Sequence, residues 1–452
     1  MKPFKKYIAA ICLLGSLPVS STAFAKEAPQ TYKLNRSTYD FTAWAKDTKG
    51  GKGGRIIKVT NLNSSGPGSL REAIDAEGPR IVVFEVGGVI DLGDKNLSIR
   101  NPYITIAGQT APNPGITVIR GETNATGTHD VIIQHVMFRP GDIGKAKMSG
   151  GDDDAFSTVG AYNVIIDHCS FSWGTDENLS ASGKRFKGAN VNEWRQNTSH
   201  NITYSNNLIF EGLANANHPK GEHSKGGLMH DNTTGILLYG NVYASNMERN
   251  ALWKGGSHGA EINNLIYNPG QKAIHYNLVA HEWENVPYQT GKVTLIGNVY
   301  RQGPNTRPDT PLFSVGGDGD VELYLKDNIA QDFEGKPVAQ TGRYTTGRAE
   351  IIPAKTPYIT PDVKTIPASL LEREIYLSVG ARPWARDPVD FKILSDVVEG
   401  RGGIIDSQSQ NYIGYPKYAP TTKAFVESDW NLDDMSPKAG WQSLFSHSSQ
   451  EH

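Results

Sequence analysis

The sequence contains few cysteines and has no excess of positive charge. The first feature bears on disulfide bonds and the second on nucleic-acid binding. Its 452 residues include 2 cysteines, Cys12 within the first 25 residues and Cys169 in the body of the chain. Removal of those 25 residues would leave one cysteine and exclude an internal disulfide. Lys plus Arg is 45 against 47 Asp plus Glu, a formal charge of −2. Such a chain has no basic surface for nucleic acid, which we do not expect as a partner.

Long apolar runs are also missing, apart from one at the start of the chain. Three lysines precede the apolar run Tyr7–Leu17, and Ala23-Phe24-Ala25 follows it. This order is that of a secretory signal peptide, and the run is too short to span a bilayer. We therefore predict a signal peptide over residues 1–25, cleavage near Lys26 and no membrane anchor. The mature protein is expected in the periplasm or outside the cell.

Glycine and proline are plentiful by contrast, at 48 and 25 residues. Together with 38% hydrophobic residues, they indicate a packed globular protein with many turns. A disordered chain and a collagen-like chain are excluded.

Short strand-like runs recur through the middle of the chain, where no long helical period is found. They begin at Val131 (VIIQHVMF), Val164 (VIIDHCSF), Ile202 (ITYSNNLI), Ile236 (ILLYGNVY), Gly259 (GAEINNLI), Val293 (VTLIGNVY) and Leu323 (LYLKDNIA). Repeats with periods of this size are typical of a solenoid or a propeller, and no regular four-strand blade is visible. We therefore predict an all-β fold.

One column of these repeats is asparagine in five runs. Its members are Asn207, Asn241, Asn264, Asn298 and Asn328. In a parallel β-helix, such amides stack and hydrogen-bond along the axis, which explains the column best. A local left-handed turn at each asparagine is the alternative, and the two are compatible.

The two ends of the chain depart from the repeats. Ser69-Leu70-Arg71-Glu72 is a capping box, which predicts a short helix over Leu70–Ala76 that closes the first coil. A second helix is predicted over Pro388–Glu399, with Asp387 as its N-cap and Gly400 at its end.

The asparagine pattern stops near residue 330, and this sets the predicted domain limits. We expect the β-helix domain over residues 26–330. Residues 331–452 are expected to form an extension that packs on the outside of the solenoid and caps its C-terminal end.

Two acidic stretches follow one another by one coil: Asp152-Asp153-Asp154 and Asp176-Glu177. Stacked coils bring equivalent loops to about 5 Å from each other. Carboxylates gathered so closely repel one another, and a hard cation such as Ca²⁺ would relieve that repulsion. A solvated polar turn is the alternative.

Three basic stretches lie one and two coils beyond the acidic ones. They are His223-Ser224-Lys225, Glu248-Arg249 and Trp253-Lys254. A metal on one side and cations on the other suit an anionic substrate bridged between them. Surface cations that keep the protein soluble are the alternative.

From Gly53 to Asn268 the chain resembles the pectate lyases of polysaccharide lyase family 1. The similar parts of this stretch are VTNLNSSGPGSLREAI from Val59 and the Asp-His strand Asn163–Phe171. Beyond it, the tail Val389–Ser407, which contains the Gly402–Ser407 motif, also resembles a branch of the family. The resemblance implies a right-handed parallel β-helix that cleaves homogalacturonan by β-elimination, with Ca²⁺ bridging enzyme and substrate. It implies an acidic polysaccharide, polygalacturonate or pectin, as the partner, and we expect a monomer.

The resemblance also implies a calcium site. By position, Asp152 and Asp154 resemble the first two calcium ligands and Asp176 the third. The fourth carboxylate of the family, four residues later, is Ser180 in this chain. This departure predicts a weaker site, or one completed by water, by Glu177 or by substrate.

The remaining functional residues are carried over in the same way. Lys225 resembles the substrate-binding lysine and Arg249 the catalytic arginine, while Lys254 stands where the family has a second arginine. Lysine keeps the charge but loses the bidentate geometry. Arg249 could act as a base only if nearby cations lowered its pKa, so an alkaline activity optimum is expected. His230, expected at the rim of the substrate site, and His168, expected in a buried turn, are the other possible bases.

Two other classes of function remain open on the sequence. A β-helix glycoside hydrolase would use Asp152, Asp153 and Asp154 as acid and base and leave saturated ends. A non-catalytic, glycan-binding solenoid would give no product. The match of the basic residues to family positions favours the lyase.

Overall fold

The repeated runs form one sheet of a parallel β-helix. A computed structural model describes residues 43–444 except 361, 413 and 442, so the predicted signal peptide lies outside the described residues. Val131, Val164 and Ile202 stand directly opposite one another on neighbouring strands. The same register continues through the first residues of the other four runs. The prediction of an all-β parallel β-helix is therefore confirmed.

Each complete coil contributes one strand to each of three sheets, in the order sheet 1, sheet 3, sheet 2. Sheet 1 has 11 strands: Arg55–Val59, Arg80–Phe84, Ile104–Ala107, His129–Gln134, Tyr162–Asp167, His200–Ser205, Thr234–Tyr239, His258–Ile262, Gly291–Ile296, Val321–Lys326 and Ile351–Pro353. Sheet 2 has 9: Leu97–Ile99, Thr123–Thr126, Phe156–Val159, Glu177–Ser182, Lys225–Met229, Leu252–Lys254, Ile274–Leu278, Phe313–Gly317 and Thr341–Arg343. Sheet 3 has 10: Val86–Asp91, Ile116–Ile119, Val136–Arg139, Ser170–Ser172, Leu208–Phe210, Val242–Ala244, Leu265–Tyr267, Val299–Arg301, Ile329–Gln331 and, antiparallel to the first, Thr421–Thr422.

The remaining elements are short, and most lie at the ends of the solenoid or on its outside. They are the α-helices Leu70–Asp75, Val191–Asn197, Ala368–Ser378, Pro388–Glu399 and Gln408–Asn411, the 3₁₀ turns Ala43–Ala45, Gly108–Thr110, Ala280–Trp283 and Glu427–Asp429, and the strand pair Trp430–Asn431 and Ser436–Pro437. Within the described residues, no helix combines the length and the apolar character that crossing a membrane requires.

Inward-facing side chains fill the coil and hold the three sheets together. One inward column of sheet 1 contains Ile133, Ile166 and Tyr204, all fully buried. Burial of an aliphatic side chain of this size contributes about 1.5–3 kcal/mol to stability. Glu261 lies further along the same column and accepts a hydrogen bond from the indole N–H of Trp253 at 2.7 Å. Burial raises the pKa of Glu261 to about 8, so its carboxyl stays protonated at neutral pH.

The asparagine column forms a buried ladder at the turn from sheet 1 to sheet 3. The backbone N–H of Asn207 donates to Oδ1 of Asn241 at 2.9 Å, and the bond repeats through Asn264, Asn298 and Asn328. The left-handed conformation belongs to the preceding column instead, in which φ lies between 50° and 66°: His135, His168, Asn206, Gly240, Asn263, Gly297 and Asp327. In each repeat, the asparagine that stacks is therefore directly preceded by the residue that makes the left-handed turn.

His168 occupies one of these turn positions, as predicted. Its Nδ1 lies 2.6 Å from Oδ2 of Asp167, and its ring stacks on that of His135. The turn joins sheet 1 to sheet 3, which places His168 away from sheet 2, where the other candidate residues lie.

The predicted N-terminal helix is found over Leu70–Asp75. The side chain of Ser69 accepts the backbone N–H of Glu72, as an N-cap does. The Glu72 carboxylate accepts the N–H of Gly68 at 2.6 Å, one residue before the position that a capping box predicts. Leu70 and Ile74 join the main core, so the helix packs against the first coil.

The β-helix continues past residue 330, and the predicted domain boundary falls inside its last coil. Thr341–Arg343 and Ile351–Pro353 are the final strands of sheets 2 and 1. The sequence pattern ends earlier because the asparagine ladder ends at Asn328.

The extension that follows packs along the side of the solenoid, against sheet 3. Its helix Pro388–Glu399 has the predicted N-cap, Asp387, and ends at Gly400, whose φ is 70°. Apolar residues of this helix form a core cluster with outward-facing residues of sheet 3. Buried Arg139 of sheet 3 contacts both Asp387 and Asp390, at 2.5 and 2.8 Å. The extension then reaches back to the first coil, where Thr421–Thr422 pairs with sheet 3.

Candidate active site

The candidate residues gather on the outer face of sheet 2, where successive coils present charged side chains. Glu177 stands opposite Lys225 on the next strand, and Lys225 is paired in turn with Glu248. Leu179 and its inward neighbours anchor these strands in the core. Because parallel strands lie about 4.8 Å apart, residues far apart in sequence meet at this face.

Three carboxylates form what we call the acidic group: Asp154, Asp176 and Glu177. One oxygen of each lies within 4.8 Å of the others. Asp154 Oδ1 accepts the backbone N–H of Glu177 at 2.9 Å, and its Oδ2 accepts the Ser180 hydroxyl at 2.6 Å. Burial and the neighbouring Asp176 raise the pKa of Asp154 well above its ordinary value. A divalent cation would remove that repulsion, so the oxygen-rich group fits such an ion.

The structure brings together three of the four residues predicted to hold a metal. Asp154, Asp176 and Ser180 meet, but Asp152 is exposed and lies outside the acidic group, where Glu177 takes part instead. Asp153 is partly exposed, and burial raises its pKa to about 6.

Asn178 does not share a face with Asp176 and Ser180, as a fully extended segment would require. Its side chain points inward, where Nδ2 donates to Asn246 Oδ1 at 3.0 Å. This pair is separate from the asparagine ladder between sheets 1 and 3. The chain bends at Thr175–Asp176, just before the strand Glu177–Ser182, and Asn178 Oδ1 accepts the N–H of Gly174 across this bend. This bend is what directs the Glu177 side chain to the acidic group.

Arg249 reaches the acidic group from two coils away. Its guanidinium contacts the Glu177 carboxylate and lies 3.8 Å from Asp176 Oδ1. Arg249 has φ 63°, a left-handed conformation that is uncommon outside glycine and asparagine. Burial lowers the pKa of Arg249, although the charges of Asp176 and Asp154 act in the opposite direction.

Two lysines share one carboxylate beside Arg249. Lys225 Nζ lies 2.6 Å from Oε1 of Glu248, and Lys272 contacts the other oxygen of the same carboxylate. Burial lowers the pKa of Lys225 and that of Lys272 to about 8. Lys272 also lies 5.0 Å from the ring centre of Tyr344. We call Lys225, Arg249 and Lys272 the cationic group.

Two buried histidines face the acidic group from the loop before the strand Lys225–Met229. His223 Nε2 lies 3.1 Å from Asp176 Oδ1, and His218 Nε2 lies 3.9 Å from Oδ2 of the same residue. Burial opposes ionisation of Asp176, but the contact with His223 and the charge of Arg249 lower its pKa below the ordinary value.

The C-terminal extension holds this histidine loop in place. Asp406 Oδ1 accepts both the backbone and the side-chain N–H of Asn215, each at 3.0 Å. The N–H of Ala214 donates to the carbonyl of Ile405, and the N–H of His223 donates to the carbonyl of Ala214. The Gly402–Ser407 motif therefore acts on the site through the loop rather than by facing it.

Lys254 and His230 lie in a second charged group, separate from the contacts of Arg249. Lys254 Nζ contacts the carboxylate of Glu282 and lies 3.3 Å from Asp231 Oδ2. Arg185 contacts the same two carboxylates, at 2.7 Å from Glu282 and 3.6 Å from Asp231. His230 Nδ1 accepts the backbone N–H of Asp231 at 2.9 Å. We call Arg185, Asp231, Lys254 and Glu282 the paired cluster.

Sequence reasoning assigned no role to Glu248, Lys272 or His218. A signal existed for Lys272, because Lys225, Arg249 and Lys272 follow at intervals of 24 and 23 residues, one coil each. None existed for His218, since a loop conformation fixed by distant residues turns it toward Asp176.

The chain is similar in sequence to curated proteins named probable pectate lyase C. It is 36% identical over 257 residues to the one from Aspergillus terreus and 37% identical over 257 residues to the one from Aspergillus flavus. Each match covers 57% of this chain and 52% of the relative, so the chain spans about half the length of the curated relatives it matches. No family model matches the chain.

Solved structures share its fold. Jun a 1, the major allergen from cedar pollen, is 16% identical with a TM-score of 0.52, and the match covers 75% of this chain and 92% of the allergen. A pectate lyase of Bacillus sp. N165, solved in complex with trigalacturonate, is 14% identical with a TM-score of 0.51, over 75% of this chain and 98% of that enzyme. The resemblance to pectate lyases is therefore confirmed in sequence, by the homologues named probable pectate lyase C, and in fold, by a solved pectate lyase with the same β-helix.

Proposed function

We propose that the protein is a secreted, calcium-dependent pectate lyase that cleaves homogalacturonan by β-elimination and releases 4,5-unsaturated oligogalacturonates. The observation that carries the proposal is the meeting of the acidic and cationic groups, in which Arg249 contacts Glu177 and lies 3.8 Å from Asp176. A uronate carboxylate bound at this junction would be held from both sides. The names of the curated relatives support the same reaction.

Asp154, Asp176 and Glu177 would hold the calcium ion. Three carboxylate oxygens within 4.8 Å of one another are the ligands that a hard cation prefers. Ser180 would act indirectly, because its hydroxyl fixes Oδ2 of Asp154. When bound, the ion would bridge enzyme and substrate and stabilise the negative charge that develops on the substrate carboxylate.

The proposed chemistry is a proton abstraction followed by loss of the glycosidic oxygen. The C5 proton leaves, its electron pair forms the C4–C5 double bond, and the bond between C4 and the glycosidic oxygen breaks. That oxygen then takes up a proton. Negative charge develops next to the uronate carboxylate during the first step, where fixed cations stabilise it.

Arg249 is the proposed base at C5. Its pKa is lowered by burial, and within the described residues its Nε has no hydrogen-bond partner. His230 is the second choice, but its Nδ1 is held by Asp231 beside the paired cluster.

Lys225 and Lys272 are the proposed ligands of the substrate carboxylate. Both pKa values, about 8, leave the two amines charged at neutral pH. They share a single carboxylate, Glu248, so one further anion can bind between them. Lys254, by contrast, already contacts two carboxylates, which argues against the substrate-binding role that its position in the sequence suggests.

The test is incubation with polygalacturonate, with added Ca²⁺ and after thorough chelation. We expect ultraviolet absorbance of a 4,5-unsaturated uronate in the presence of calcium and none after chelation, with the fold retained. New reducing ends without that absorbance would indicate a glycoside hydrolase instead. Binding to the polymer without any product would indicate a non-catalytic solenoid. Export is tested separately, since N-terminal sequencing of secreted protein should begin near Lys26.

A further inference from the structure

A tyrosine from the last coil of the solenoid reaches back to the cationic group. Tyr344 directly follows Thr341–Arg343, the last strand of sheet 2. Lys272 Nζ lies 5.0 Å from the centre of its ring, and the His275 ring lies 5.5 Å from it at an angle of 87°. Burial raises the pKa of Tyr344, and the nearby charge of Arg249 opposes that rise. The last coil therefore contributes a side chain to the candidate active site.

The backbone around Tyr344 is fixed by the neighbouring strand. Its N–H donates to the carbonyl of Val315 at 3.1 Å, and Thr345 Oγ1 accepts the N–H of Gly317 at 3.0 Å. The tip of the ring lies against Gly316, where a Cβ atom would be 2.5 Å from Cζ of the tyrosine and 2.8 Å from its hydroxyl oxygen. A glycine at this position therefore leaves the room that the ring and its hydroxyl occupy.

The Tyr344 hydroxyl has no hydrogen-bond partner among the residues that the structure describes. Other tyrosines of the solenoid differ in this respect, since Tyr204 donates to the carbonyl of Ser180 at 2.9 Å and Tyr300 to that of Thr310 at 3.2 Å. The side chain of Tyr344 is partly exposed, so a ligand can reach it. Its raised pKa keeps the hydroxyl protonated, and the O–H is a free donor beside two cations.

We propose that Tyr344 is a substrate-binding residue, whose hydroxyl donates a hydrogen bond to the galacturonate unit held by Lys272. The inference rests on the proposed function in taking the ligand to be a uronate chain. Lysines attract a carboxylate as flexible point charges, whereas a phenol on a fixed backbone adds a directed donor that orients the sugar. The alternative is a structural role, in which the ring only holds Lys272 in place through a cation–π contact.

Tyr344→Phe separates the two roles, because it keeps the ring and removes only the hydroxyl oxygen. The full-length Arg249→Lys protein is titrated with hexagalacturonate in the presence of Ca²⁺, so that binding is measured with little turnover. Adding Tyr344→Phe to this protein should weaken binding by about 3–10-fold. The thermal unfolding midpoint should stay unchanged, because the lost hydroxyl has no protein partner. Tyr324→Phe, in the strand Val321–Lys326 of sheet 1, is the matched control and should leave binding unchanged.

Kinetics with polygalacturonate give a second readout, in which Tyr344→Phe alone should raise KM by a similar factor and retain kcat. Unchanged affinity for hexagalacturonate in the phenylalanine variant would overturn the proposal and assign the ring a structural role. A fall in kcat at unchanged KM would also contradict it. If the wild type still forms unsaturated product in either case, the proposed lyase function stands. A wild type that neither binds hexagalacturonate nor forms that product would overturn both.

Discussion

The paired cluster and the acidic and cationic groups lie along the same sheet but differ in how their charges are compensated. In the paired cluster, Lys254 and Arg185 each face both Asp231 and Glu282, so two cations meet two carboxylates. Asp231 also accepts the indole N–H of Trp283 at 2.7 Å, which ties the Ala280–Trp283 turn to the sheet. Such a cluster has its partners within the protein.

At the candidate active site, the charges of the acidic and cationic groups are only partly compensated by ion pairs within the protein. The pKa of Asp154 is raised by desolvation and by Asp176, and that of Arg249 is lowered by desolvation. Lys225 and Lys272 share the single carboxylate of Glu248. Perturbed groups that remain without full compensation are typical of functional sites. The comparison teaches that lysines of similar burial can differ in charge compensation: Lys254 contacts two carboxylates, whereas Lys272 shares one with Lys225.

The largest effect is expected from Arg249→Lys. It keeps the charge beside Glu177 but removes the proposed base, so kcat with polygalacturonate should fall about 10³-fold. The thermal unfolding midpoint should stay close to that of the wild type. Lys254→Arg, the matched change in the paired cluster, should retain most of the activity. A similar loss in both variants would contradict the distinction between the clusters.

Lys254→Met should lower the free energy of unfolding and leave the affinity for substrate nearly unchanged. It removes one cation from the buried carboxylate of Asp231, and breaking a buried pair in this way costs about 3–5 kcal/mol of the free energy of unfolding. Urea titration measures that loss, and KM for polygalacturonate should change little. A raised KM at unchanged stability would indicate that Lys254 binds the substrate, as its position in the sequence suggests.

Lys272→Met should show the reverse pattern. It removes one charge-assisted contact to the substrate carboxylate, worth about 1.5 kcal/mol, so KM should rise about 10-fold. Its effect on urea stability should be smaller than that of Lys254→Met, because Lys225 still contacts Glu248. Steady-state kinetics of the two methionine variants, measured side by side, give the comparison directly.

Ser180→Asp should make the acidic group more dependent on metal. It places a fourth carboxylate beside Asp154, whose Oδ2 is now 2.6 Å from the Ser180 hydroxyl. Calcium binding without substrate should tighten by about 10-fold, while the metal-free protein should unfold at a lower temperature because the carboxylates repel one another. Unchanged affinity would show that the ion does not reach this side of Asp154.

The smallest effect is expected in the pH dependence of KM. The pKa of Lys272 is lowered to about 8, so its amine loses its proton and its attraction for a carboxylate as the pH rises through about 8. KM should therefore increase several-fold between about pH 7 and 9. Lys272→Arg, which stays charged, should reduce that rise, while Lys225, whose pKa is also about 8, continues to titrate. A KM independent of pH in the wild type would mean that bound substrate keeps the lysine protonated.

Much of the solenoid could be predicted from the sequence. The register of sheet 1 follows the repeated runs residue by residue, because each coil repeats one local pattern and stacks only on its neighbours. The helix Pro388–Glu399 was equally predictable, since its N-cap and its terminal glycine act locally. The last coil was missed because Thr341–Arg343 and Ile351–Pro353 carry no ladder asparagine.

The charged residues on sheet 2 were only partly predictable. Asp154, Asp176, Lys225 and Arg249 follow from the resemblance and do meet in the structure. Residue type and spacing alone could not show that Lys254 forms ion pairs with Asp231 and Glu282.

The sequence by itself determined the β-helix, because repeat period, turn residues and capping are short-range properties of the chain. The tertiary structure decided which side chains share the site. Glu177 replaces Asp152 because the bend at Thr175–Asp176 directs it to Asp154, and the loop held by Asp406 brings His223 to Asp176. These placements depend on hydrogen bonds between residues up to 191 positions apart, which no local pattern encodes.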